Sequence, residues 1–76
     1  MAFSKDKAPF DCMILDAEPV MVQNPFSGES VMLEPVAVAV YDCLRGAEMM
    51  GDYKTVRKGL DWFRQCYPAE YMVLLD

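Results

Sequence analysis

The stretch QNPFSGESVMLEP, residues 23–35, joins two apolar runs through a loop and then meets a proline. Asn24 can accept a hydrogen bond from the backbone two residues on. Pro25 presets the φ of a turn's second position, and Gly28 supplies positive φ where the chain re-enters an extended path. The runs VMVQ (20–23) and ESVML (29–33) flank this loop, so residues 24–28 read as the turn of a β-hairpin. A loop built to cradle phosphate would need more glycine, a lysine and a helix directly after it. This one has a single glycine and no lysine. Nor is Asn24 a glycosylation acceptor, because Pro25 follows it. Phe26 sits at the tip, either folded under the loop or offered to a partner.

Toward the C-terminus, Pro35 suits the first position of a helix, where its missing N–H costs nothing. The helix is expected over 35–50, ending at Gly51 as a left-handed cap. At about 100° per residue, Val36, Val40, Cys43, Leu44 and Ala47 share one face, while Val38 and Met49 form a second, smaller apolar spot among polar residues. Asp52 is placed to cap a second helix, 52–67, at the positive end of its dipole. Tyr53, Val56, Leu60, Phe63 and Tyr67 form its stripe, and Lys54, Arg57, Lys58, Asp61 and Gln65 its wet side. Trp62 lies about 140° from the centre of that stripe, with Gly59 and Cys66 beside it. It is read either as packed within the domain or as an interface anchor, a role for which tryptophan is favoured. Residues 68–76 begin with Pro68 and favour a short helix with Tyr71, Met72 and Leu75 on one side; a strand, YMVLL, is the alternative.

Toward the N-terminus, residues 1–9 read as a polar tail. FDCMILD follows, and its apolar centre, Cys12–Leu15, suits a short strand buried on both faces. Strands followed by helices predict a single α+β domain over 1–76, with a small antiparallel sheet from residues 10–34 covered by a helical hairpin and a short terminal helix. A mostly helical fold with unpaired extended segments is the alternative.

A chain of 76 residues buries little surface, yet 54% of it is hydrophobic and seven residues are Met. Either the core is dense or a partner covers the remainder, and a homo-oligomer is the simplest source of one. The net charge of −5 speaks against nucleic acid and against docking on anionic membrane. No apolar run approaches the ~20 residues of a spanning helix. Ala2 stands where myristoylation requires glycine. The three cysteines include no C-x-x-C, and with no secretory leader they are expected as reduced thiols in a cytoplasmic compartment.

Histidine is absent, which removes the commonest general base and metal ligand. No nucleophile–base pair is evident, the acidic residues match no Ca²⁺ loop, and neither metal nor cofactor is expected. Lys54, Arg57, Lys58 and Arg64, interrupted by Asp61, read as the exposed face of an amphipathic helix, with contact to an acidic partner as the second reading. AVYDCLRGAEMMGDYKTVRKGLDWFRQCYP (39–68) resembles one tetratricopeptide unit at its Gly51-Asp52-Tyr53 turn and at Pro68. Leu44, Val56 and Phe63 replace the small residues that family needs, and a single copy cannot bury its own face. The match therefore reads as convergence on a helical hairpin.

A broader likeness runs through Asn24-Pro25, Ser27-Gly28-Glu29, Leu33-Glu34-Pro35, Ala39-Val40-Tyr41-Asp42, Gly59-Leu60 and Tyr71-Met72-Val73-Leu74-Leu75-Asp76. It resembles small uncharacterised proteins of tailed, particularly marine, bacteriophages. The resemblance implies a host cytoplasm or a virion as the place of work and brings no site residues. The functional expectation is a non-catalytic protein that self-associates or binds a protein partner, with Trp62, Met49, Val38, Phe26 and Cys66 as candidate interface residues. A structural or accessory virion component and a tetratricopeptide-like adaptor are the alternatives.

Overall fold

The computed structural model describes residues 3–75. Met1, Ala2 and Asp76 lie outside the described residues, and with them the lipidation reading of Ala2. The fold is α+β: strands β1 (Val20–Gln23) and β2 (Ser30–Leu33) precede helices α1 (Pro35–Met50), α2 (Tyr53–Cys66) and α3 (Pro68–Leu74). The strands pair antiparallel, with Val20 opposite Leu33 and Val22 opposite Val31 on the inward face. Met21 and Met32 stand opposite one another on the outward face, so side chains alternate in and out along each strand.

Asn24 organises the turn. Its Oδ1 accepts from Phe26 N–H at 2.8 Å, and its carbonyl accepts from Gly28 N–H at 2.9 Å. Gly28 has φ of +79°, which a side chain would strain. Asn24 Nδ2 also donates to the carbonyl of Val73 at 2.9 Å, tying the turn to the end of α3. That carbonyl is one of the last four of its helix, which have no partner within the helix.

Pro35 opens α1, and Gly51, at φ +76°, closes it. Asp52 N–H reaches Ala47 O, and Gly51 N–H reaches Glu48 O, the paired bonds of a Schellman cap. The chain turns directly into α2, where Asp52 Oδ1 accepts from Thr55 N–H. Residues 68–74 are helical, which excludes the strand alternative for this segment. Leu74 rather than Met72 is the buried member of α3; Tyr71 and Leu75, one helical turn apart, are half-buried.

Three expectations are corrected. Cys12–Leu15 is not a strand buried on both faces: it is an extended strap, with Met13 77% and Leu15 79% exposed. The hairpin forms a complete two-stranded sheet without it. Only Phe10 and Cys12, two residues apart, turn toward the core. The N-terminal tail is not free. Ser4–Lys7 form a turn whose two carbonyls, of Ser4 and Lys7, accept from Trp62 Nε1, each at 2.9 Å. Finally, the stripe read for α2 is covered only at its C-terminal end: Phe63 and Tyr67 are buried, whereas Tyr53 is exposed and Val56 and Leu60 are half-covered, and the buried face of the helix runs through Gly59, Trp62, Phe63 and Cys66.

The core is aromatic. Trp62 meets Phe63 edge-on at 5.2 Å and Tyr67 at 5.3 Å, and Phe63 meets Tyr41 edge-on at 6.5 Å. Leu33, Val40 and Leu44 are the other large side chains that are fully buried. Each such side chain contributes roughly 1.5–3 kcal/mol by leaving water.

Candidate functional site

The five candidate interface residues divide sharply. Trp62 has no exposed surface, and Val38 and Cys66 are buried as well. For these three the interface reading is corrected: their cover comes from this chain. A buried indole N–H needs an acceptor, and the N-terminal turn supplies two. Val38 faces the strap, sharing a shallow cleft on α1 with Met13 and Leu15. Cys66 lies in the aromatic cluster, where burial pushes its thiol above the ordinary range, with Lys5 opposing the shift. Phe26 and Met49 stand apart, each 89% exposed.

The open apolar surface is wider than those two residues. All six methionines among the described residues, at 13, 21, 32, 49, 50 and 72, are between 48% and 89% exposed. The outward pair Met21 and Met32 was legible as alternation with Val20, Val22, Val31 and Leu33. A methionine in a small apolar-rich chain reads more readily as core filler, because its flexible thioether fits irregular gaps.

A second open feature lies between α2 and α3. Val56, Leu60 and Tyr71, all half-buried, and the exposed Tyr53 line a groove of about 400 Å³. Arg57 and Arg64 stand on its rim, where Arg64 pairs with Asp61 one turn away on the same helix. This is the N-terminal part of the apolar stripe read from the sequence, left partly uncovered because α2 turns its Gly59, Trp62 and Cys66 flank inward together with Phe63 of the stripe itself.

The charges are unevenly shared. α2 carries four cations and a single carboxylate, whereas the rest of the chain carries three cations and eleven carboxylates. The strap is bounded by Asp11, Asp16 and Glu18, all exposed.

A larger cleft, of about 640 Å³, opens between the N-terminal turn, β2 and the start of α3. Lys5, Asp6 and Glu34 on it are exposed and of mixed sign. Burial raises the Tyr67 phenol there, and Glu34 adds to the shift. Cys12 is raised first by burial and then by the neighbouring Cys43 thiol. Cys12, Cys66 and Tyr67, each raised, hold their protons at neutral pH. Among the described residues, no three His, Cys, Asp or Glu side chains gather where they could hold a metal, and no helix is long and apolar enough to cross a membrane.

The chain matches no protein-family model, no curated protein and no solved structure. The bacteriophage resemblance therefore rests on the quoted residues alone.

Proposed function

We propose that this protein is a non-catalytic interaction protein whose first partner is a second copy of itself. One observation carries the reading: every described methionine is on the surface, while a separate aromatic core is sealed beneath the N-terminal turn. Methionine is favoured at binding surfaces because its side chain adapts to the shape opposite. Outward methionines on the hairpin, in the last turn of α1 and on α3 leave oily area in water that contact with protein would remove. The raised thiols support a binding role over a nucleophilic one, since the thiolate is the reactive form.

Sedimentation velocity in reducing buffer tests the proposal. The expected result is a weight-average mass that climbs above 8.6 kDa as concentration rises. A mass fixed at that of one chain over the whole range would overturn self-association.

A further inference from the structure

We propose that the groove between α2 and α3 receives the acidic strap, Asp11–Glu18, of a second copy, so that copies associate head to tail. This rests on the self-association reading and specifies the two surfaces that meet.

The groove has an apolar floor and a cationic rim. Val56, Leu60 and Tyr71 are half-buried within it, and Arg57 and Arg64 project at its edge. Asp61 neutralises part of Arg64, but Lys54 and Lys58 lie on the same helix and keep it strongly positive. α2 is a cationic island in a chain whose remaining residues are heavily acidic. An occupant therefore needs apolar side chains flanked by carboxylates.

The strap has that composition. Met13, Ile14 and Leu15 are exposed in a row, between Asp11 on one side and Asp16 and Glu18 on the other. Its backbone is also free: among the described residues, 9–19 make no backbone–backbone hydrogen bond. An extended, unpaired, apolar segment is a form in which peptides are commonly recognised. Within one copy the strap lies against α1, where Met13 and Leu15 edge the cleft beside Val38 and Cys43. The groove is lined only by α2 and α3 residues, so the strap and groove are distinct surfaces of one molecule. Two different surfaces that complement each other make a heterologous contact, which closes into a ring or continues as a chain.

The test uses two charge-reversed proteins, Arg57→Glu/Arg64→Glu and Asp11→Lys/Asp16→Lys/Glu18→Lys, in reducing buffer at about 0.05 M salt, where exposed charges are weakly screened. All five positions are exposed, and far-ultraviolet circular dichroism checks that each protein is folded. Each variant alone should self-associate at least about tenfold more weakly than the native chain. Mixed one to one, they should associate again, because a negative groove then meets a positive strap. As a second readout, a peptide of residues 10–18 in excess should break native assemblies, and a scrambled peptide of the same composition should not. If the native protein associates while both variants associate as well as it does, or the mixture fails to recover, or the two peptides act alike, this pairing is wrong although self-association stands. If the native chain never associates, the functional reading fails with it.

Discussion

Trp62 shows how one polar atom can organise a distant segment. Its ring lies at the centre of the aromatic cluster, and its Nε1 reaches the carbonyls of both Ser4 and Lys7. The N-terminal turn is thus held by an indole more than fifty residues away. Trp62→Phe keeps a ring but loses both bonds and leaves a void, so it should cost about 1–3 kcal/mol in urea unfolding. Release of the turn should also speed tryptic cleavage after Lys5 and Lys7 in the folded protein; cleavage at the native rate would show that something else holds the turn. Asn24 acts in the same way at the other end, as acceptor for its own turn and donor to Val73. Asn24→Ala should lower stability by about 1–2 kcal/mol and quicken amide exchange in the last turn of α3. The local half of that role was legible from Asn-Pro and Gly28. The bond to Val73 was not, because nothing near Asn24 in the chain specifies where α3 ends.

At the scale of elements, the helical hairpin was legible in Pro35, Gly51, Asp52 and Pro68, each of which starts, stops or caps a helix for a local reason. Its packing was less so. Gly59 was noted beside Trp62 only as part of a second apolar flank, yet it is where α2 meets α1. A Cβ there would lie 2.7 Å from Leu44 Cδ1 and 3.3 Å from Leu44 Cγ. Leu44 is fully buried, so shifting it would disturb the packing around it. Gly59→Ala should therefore destabilise the protein even though alanine favours helix by about 1 kcal/mol. Gly46, inside α1, has open space at the same position. Gly46→Ala should stabilise by roughly 0.5–1 kcal/mol. Thermal melts of the two variants should shift in opposite directions. The α2 cap gives a pH test. Hydrogen bonds from the Thr55 side chain and then its backbone hold the Asp52 carboxyl below its ordinary value of 3.8. A depressed carboxyl adds stability above that value and loses it as pH falls through the folded value. Asp52→Ala should thus melt earlier than native at neutral pH, and the gap should narrow under strongly acidic conditions.

Across the whole molecule, fold class followed from the order of apolar runs, but the inside and outside of the N-terminal third did not. Cys12–Leu15 has the composition of a buried strand, and what decides its fate is the absence of a partner strand, which composition does not encode. The same holds for Trp62 and Tyr53: helical periodicity assigned them to two flanks, and the packing of α1, the N-terminal turn and α3 determines which flank is covered. The buried thiols and phenol give the molecule a defined alkaline response. Cys12, Cys66 and Tyr67 are all raised, chiefly by burial, so the folded state holds their protons more tightly than the unfolded chain does. Their contribution is complete below the ordinary values of 9.0 and 10.0 and is lost as pH climbs through the raised ones. The melting temperature should fall in that range, less steeply in Cys12→Ser/Cys66→Ser. The exposed methionines, with a cationic α2 on an otherwise acidic chain, favour contact between copies. Sedimentation velocity of the native protein over a wide concentration range, in reducing buffer at low salt, tests it most directly. The mass should grow with concentration and shrink when salt is added; a single 8.6 kDa species throughout would rule out contact between copies.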